Sequence, residues 1–215
     1  ARNWGIAGDP REALRRILRG PRRYRPHPSL AVVGALPDGR RERRIGFIVG
    51  RGLVARFFGV DYDEGAGGYS GSAKLVARIF AESFVSGPLA RQVLEPLPCR
   101  LVVDGEELEP PAWSLICSAV IRNLGIHMLL THRAAEHPRR PHVVATPMLP
   151  RQLGPRAPLV LLGRPIGGPG NVDTRAEEFS IRFEERGPYV LDGELLSAQA
   201  VHVRAGPMIK LVLPA

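Results

Sequence analysis

Residues 189–215 constrain the fold of this chain more tightly than any other stretch. Asp192-Gly193 is a two-residue turn of the type that needs positive φ, and the flanking segments 189–191 and 194–204 alternate apolar and polar side chains. That pattern predicts an antiparallel hairpin, with residues 208–213 as a further strand. The turn fixes Glu194 in space with Asp192 beside it, so two carboxylates sit at one defined tip. The same tripeptide recurs at Asp104-Gly105-Glu106 after Leu101, Val102 and Val103. Three letters are therefore not specific, and the first copy reads as a structural hairpin.

The rest of the chain is also rich in turns. Gly 24 and Pro 21 in 215 residues favour many short strands, and a chain of this length can bury one good core. Asp9 is placed to cap a helix with Pro10 at its first position, stopping at Gly20-Pro21. Residues 30–36 and 45–49 read as an antiparallel pair around Pro37-Asp38-Gly39, and 53–62 as a short helix or irregular apolar segment. Residues 64–71 read as a Gly-rich linker, after which Ser72 is placed to cap a helix over 73–84. From Cys99 onward strands are expected at 99–103, 113–121, 128–131, 142–145, 159–162 and 179–183, with 147–170 as an irregular crossing loop. The predicted class is α+β and β-rich: an antiparallel β-sandwich-like domain with two or three helices.

Several function classes drop out. No apolar run approaches the ~20 residues of a membrane-spanning helix, and no signal peptide opens the chain, which predicts a soluble, cytoplasmic protein. Cys99 and Cys117 flank the turn region 104–111, so a disulfide is geometrically open, but two reduced, buried thiols suit a cytosolic sheet better. The net charge is +9, and only Lys74 and Lys210 among 30 basic residues are lysines, a bias that GC-rich coding produces. Arginines cluster at 15–25 and 40–44, either as a solvated basic face or as a contact for anionic membrane lipid. They lack interleaved aromatics, so no nucleic acid partner is expected.

Residues 64–71 follow no strand and lack a Gly-Lys-Ser/Thr ending, which excludes a phosphate loop. Four of six histidines fall between 127 and 142, but none shows zinc-protease spacing, and they read as an unrelated polar group with no metal site.

Two motifs and the order of elements resemble the diacylglycerol kinase and sphingosine kinase superfamily of lipid kinases, in its bacterial branch. The Asp192-Gly193-Glu194 hairpin near the C-terminus is similar to the family's final motif. Ala1-Arg2-Asn3-Trp4-Gly5-Ile6, leading into a short helix, resembles the segment just after the family's Gly-Thr-x-Asn-Asp element. The resemblance implies that residues 1–28 are a connecting helix and linker, that 29–215 form the C-terminal lipid-kinase domain with a helical insertion at about 51–93, and that a nucleotide-binding domain lies upstream of Ala1. It assigns Glu194 a catalytic role with Asp192 in support, and places Gly193 and Glu194 beside the cofactors, ATP and Mg²⁺, which the upstream domain mainly binds. Arg2 corresponds to a basic residue near the phosphate-accepting end, and Phe57, Phe58 and Phe80 are candidates to line an acyl-chain pocket. The other reading of each is open: a solvated turn glutamate, a terminal arginine, and ordinary core phenylalanines.

There are departures. Asn123-Leu124-Gly125-Ile126-His127-Met128 and Arg133-Ala134-Ala135-Glu136-His137-Pro138 stand where many members carry a Gly-rich segment and a Pro-x-Ala-x-x-Asp-Gly loop. The expected function is the substrate-side domain of an ATP-dependent lipid kinase acting on a lipid hydroxyl, such as that of diacylglycerol or a sphingoid base, inactive by itself. The alternative is a non-catalytic lipid- or membrane-binding module, peripheral at the membrane.

Overall fold

The computed structural model describes residues 2–4, 8–63, 69–125, 127–134 and 136–214. Asp9 caps the first helix as its position requires: its carboxylate accepts from the Arg11 amide at 3.0 Å, and Pro10 opens α1 (Pro10–Arg19). At the other end Arg22 donates to the Ile17 carbonyl at 2.6 Å, covering a carbonyl that the helix leaves unpaired. The chain then enters β1 (Arg22–His27), which pairs antiparallel with the last strand, β14 (Ile209–Pro214), as a separate two-stranded ribbon.

The remaining large strands form one ten-stranded sheet, antiparallel throughout. Its strands are β2 (Leu30–Ala35), β3 (Arg41–Gly46), β4 (Ile48–Gly52), β6 (Arg100–Val103), β7 (Glu106–Leu108), β9 (Leu115–Ala119), β10 (His142–Thr146), β11 (Val172–Arg175), β12 (Glu178–Leu191) and β13 (Glu194–Ala205). The main path runs β11-β10-β9-β4-β12-β13-β2-β3, with β6 and β7 branching from the first half of β12. Two short strands, β5 (Leu97–Pro98) and β8 (Ala112–Trp113), pair with each other. The sequence suggests a sandwich; the element that forms is one continuous, branched sheet. Inward residues from its two ends nevertheless meet: Val49, Ile116 and Val143 share a core with Leu101, Phe179, Ile181 and Val203.

Helices cover the outer side of β4, β9 and β10. They are α2 (Leu53–Asp63), α3 (Tyr69–Ser83), α4 (Pro88–Leu94), and the short α5 (Pro150–Leu153) and α6 (Ala157–Leu161), more than the two or three expected. Leu75, Ile79, Val93 and Val160 pack there against Leu115, Cys117 and Val144. Alternate residues of β9 and β10 thus enter different cores, so both strands are buried on both faces and read as unbroken apolar runs. Trp113, fully buried, anchors the inner core, where truncation to alanine would cost about 3–5 kcal/mol. Cys99 and Cys117 are both free and buried, and they belong to different cores, so the disulfide option closes.

Several expected elements differ. Helix α3 begins at Tyr69, so Ser72 lies inside it rather than capping it, and 64–68 fall outside the described residues. The apolar run 159–162 is helical through Leu161 and capped at Leu162, because Pro158 favours a first helical turn. Residues 128–131 form no strand and enter a turn at Leu130, and 179–191 form one bulged strand with an irregularity between Arg182 and Gly187. No helix among the described residues is long and apolar enough to cross a membrane.

Candidate functional site

The Asp192-Gly193 turn has φ of 51° and 96°, the left-handed pair that a two-residue hairpin demands. Its aspartate does more than bend the chain. The Asp192 carboxylate accepts from the Phe47 amide at 2.9 and 3.1 Å and from the Ile48 amide at 2.8 Å, while the Asp192 amide donates to the Ile48 carbonyl at 3.0 Å. Phe47 is where the chain leaves β3, which pairs with β2, and enters β4, which pairs with β9. Such a switch breaks the ladder, and the carboxylate supplies the missing acceptor. Gly46 makes room for this contact: a β-carbon there would lie 2.5 Å from Leu191 and 2.7 Å from the Asp192 carboxylate.

The second Asp-Gly copy is built the same way. Asp104 and Gly105 have φ of 48° and 87°, and the Asp104 carboxylate accepts from the Glu177 and Glu178 amides at 2.8 and 3.0 Å. In both turns the aspartate is a backbone lock, and the following glutamate is exposed. Glu194 pairs with Arg44 at 3.1 Å, and Arg44 also faces Glu42 at 3.6 Å. With the Glu194 side chain 70% exposed, that pair contributes little to stability.

Two other features converge on this corner. Arg2 lies in a 3-10 turn, Arg2–Trp4, and its side chain falls outside what the structure describes. Asn3 and the backbone of Asn123 exchange hydrogen bonds at 2.7 and 2.9 Å, and the Trp4 ring meets Phe47 edge-on at 5.6 Å. The N-terminal segment is thereby docked on the residue that Asp192 holds. Immediately beyond lies an apolar cavity of about 290 Å³, lined by Leu53, Phe57 and Phe58 of α2, Val76 of α3, Leu124, Gly125 and Met128 of the following loop, and Val160 of α6. A β-carbon on Gly193 would stand 3.9 Å from Cε1 of Phe58, which ties the hairpin tip to the cavity wall. Phe80 meets Phe84 edge-to-face at 5.1 Å and is not among the lining residues; Ile79 belongs to the core.

The tip does not make a cation site by itself. Asp192 spends its carboxylate on two amides, which leaves Glu194 as one exposed carboxylate held toward an arginine. A Mg²⁺ ion needs several oxygen ligands in near-octahedral array, and no such group forms here among the described residues.

One constellation joins residues that the sequence reads as an unrelated polar group. His132 and His142 are not a scattered pair: their rings meet edge-to-face at 5.0 Å, and Nε2 of His142 donates to Oδ1 of Asp173 at 2.8 Å. Asp173 is no candidate in the sequence because it arrives on β11, across the sheet. Burial pushes its carboxyl upward, but the His142 hydrogen bond and the nearby His132 and Arg133 outweigh that and hold it below the usual range. Arg51, fully inside β4, is likewise illegible in the sequence. It donates to the Pro98 carbonyl at 3.0 Å and lies 4.7 Å over the Phe183 ring, and burial depresses its pKa.

No family model and no curated protein matches the sequence. The fold does have relatives. A protein assigned as a diacylglycerol kinase from Bacillus anthracis str. Sterne superposes with a TM-score of 0.55 at 14% identity, covering 95% of this chain and 61% of that one. A second such structure from the same organism gives 0.55 at 13% identity with the same coverage. At that identity the likeness shows a diacylglycerol-kinase-like fold, and this chain spans 61% of the length of the proteins it resembles.

Proposed function

We propose that this chain is the substrate-side portion of an ATP-dependent lipid kinase that phosphorylates a lipid hydroxyl. The observation that carries the reading is the meeting at one corner of an apolar cavity, a rigid Asp-Gly-Glu turn and the docked N-terminal segment. A lipid alcohol has that polarity: an aliphatic tail that leaves water for a lined pocket, and a hydroxyl that stays at the polar rim. The cavity is at the lower edge of the size of ligand pockets, about 300–1,000 Å³. Phe57 and Phe58 hold the tail in this reading, and Glu194 is the carboxylate next to the acceptor hydroxyl. Asp192 acts by fixing the turn. Arg2, at the start of the docked segment, is assigned in the same reading to the phosphate-accepting end.

Phosphoryl transfer is mostly positioning and charge neutralisation, so ATP and Mg²⁺ require a phosphate cradle that the residues described here do not supply. In this reading a nucleotide-binding part of the same protein supplies it and packs on the ribbon side. There Leu14 and Leu18 of α1, one helical turn apart, are 55% and 62% exposed, apolar side chains that a packed domain would cover. The lipid arrives from a membrane, and Arg41, Arg43, Arg182 and Arg204 on the open face of β2, β3, β12 and β13 give anionic headgroups a positive platform.

The test uses the full-length native protein with ATP, Mg²⁺ and diacylglycerol or a sphingoid base in mixed micelles. Glu194→Gln is expected to lose at least about tenfold in kcat with an unchanged Tm, whereas Glu106→Gln, the matched position in the other turn, stays at wild type. Equal activity of the Glu194 variant removes its assignment. Lipid binding without phosphate transfer by the full-length protein would instead support the non-catalytic binding module.

A further inference from the structure

We infer that His132, His142 and Asp173 form a binding site for a divalent d-block cation of the zinc class. This site is independent of the Mg²⁺ that phosphoryl transfer requires. One ligating atom from each residue lies within 4.8 Å of the other two. Two imidazoles and one carboxylate suit zinc, cobalt or nickel, whereas Mg²⁺ takes oxygen ligands.

A plain structural role explains only part of the arrangement. The bond from His142 Nε2 to Asp173 Oδ1 would suffice to tie β10 to β11. It leaves Asp173 Oδ2, which is buried with no hydrogen-bond partner, and buried carboxylate oxygens are rarely left so. It also leaves unexplained why a second imidazole is turned toward the pair. Nδ1 of His132 lies 3.4 Å from the Leu130 carbonyl; donation there leaves Nε2 with its lone pair available, the orientation usual for a metal-bound histidine.

Two neighbours act against the ion, and each has an answer. The Arg133 guanidinium lies 4.0 Å from Asp173 Oδ1, but it also pairs with Glu136 at 3.2 Å, and Glu136 holds Arg175 at 3.3 Å, so the local arginine charge is partly balanced. The Arg133 amide donates to Nδ1 of His142 at 3.3 Å, a long bond that must be given up when Nε2 binds the ion and the ring proton moves to Nδ1. Both effects weaken the site, which predicts moderate affinity. His132 is half-buried, so the ion enters from its side and keeps solvent there as an open ligand.

Position gives the site a consequence. His132 belongs to the loop between β9 and β10, whose Leu124, Gly125, Met128 and Leu130 wall the apolar cavity. Among its described residues that loop forms no ladder of its own. An ion shared between His132 and the β10–β11 pair would staple the cavity wall to the sheet.

The experiment is titration of the metal-stripped protein with Co²⁺, followed by its visible absorption, and with Zn²⁺ by thermal unfolding. Expected are a d–d band that saturates at one equivalent and a Tm rise of roughly 5–10 °C at a hundredfold excess of Zn²⁺ over Kd. His132→Ala keeps the His142–Asp173 bond and therefore the metal-free Tm, and it abolishes both responses. If wild type shows no saturable band and no Tm shift, or if His132→Ala responds as wild type does, the site is refuted. Asp173→Asn serves as a second variant. It loses the cobalt band if Asp173 is a ligand and keeps it if the ion sits elsewhere, which also refutes the site.

Discussion

Replacing Asp192 by alanine removes three things that the structure assigns to one side chain. Two are the charge-assisted bonds to the Phe47 and Ile48 amides at 2.9 and 2.8 Å. Bonds to charged groups contribute about 1.5–3 kcal/mol when buried, and because Asp192 is exposed, water partly replaces them, so about 1 kcal/mol each is the appropriate scale. The third is tolerance of φ at 51°, where alanine is about 1 kcal/mol worse than aspartate or asparagine. The sum is about 3 kcal/mol. Asp192→Asn keeps the backbone tolerance and one uncharged acceptor, and should cost about 1 kcal/mol. Because Asp104 does the same for Glu177 and Glu178, Asp104→Ala should lose a similar amount. Urea unfolding followed by far-UV circular dichroism reads all three. A loss below about 0.5 kcal/mol for Asp192→Ala would show that water satisfies the strand switch as well as the carboxylate does, and the lock would be wrong.

Burial sets the outcome of three further tests. It pushes the Cys117 thiol up to about 12 and raises that of Cys99, so the native protein should resist iodoacetamide at pH 8.5 and label fully only in denaturant; prompt native labelling of either would contradict its burial. The same shift makes stability fall with alkaline pH, because the unfolded thiol ionises near 9 while the folded one stays neutral. The loss from Cys117 runs from about pH 9 to about pH 12 at roughly 1.4 kcal/mol per unit, and Cys117→Ala, read by urea unfolding at pH 8 and 10, should flatten that slope. Val76→Trp places a large ring in the cavity of about 290 Å³ and should displace a fluorescent long-chain lipid probe at least about tenfold; unchanged probe affinity would locate lipid elsewhere.

Much of the scaffold is written in local chemistry. Asp9-Pro10 announces α1, and the two Asp-Gly pairs announce their hairpins, because those turns admit few residues. Features that depend on a partner far along the chain fail to show. Strand β1, almost wholly exposed and containing four charged or histidine side chains and Pro26, is extended because β14 offers it a ladder. The break at Phe47 is invisible because apolar residues continue through it, and only the change of partner from β2 to β9 reveals it. The run at 159–162 is too short for periodicity to distinguish strand from helix. At the candidate site the turn glutamate and Phe57 and Phe58 can be named from sequence, but the capping role of Asp192 cannot, since its amide partners are 145 and 144 residues away. The His132, His142 and Asp173 cluster is likewise assembled across strands.

Strand β12 joins the two halves of the sheet: its last residues pair with β4 through only Val190–Gly50 and Leu191–Val49, whereas β13 accompanies it along most of its length. The ladder is thus narrowest beside Asp192, and a seam runs through the molecule there. Amide hydrogen exchange should reveal two cooperative blocks, one of β2, β3, β13 and the first half of β12, the other of β4, β9 and β10, with the amides of Phe47 and Ile48 opening at lower free energy than either. Whatever binds at the hairpin tip would then grip both blocks at once, so occupancy of that corner should be felt as slower exchange across the seam, far from any atom the ligand touches.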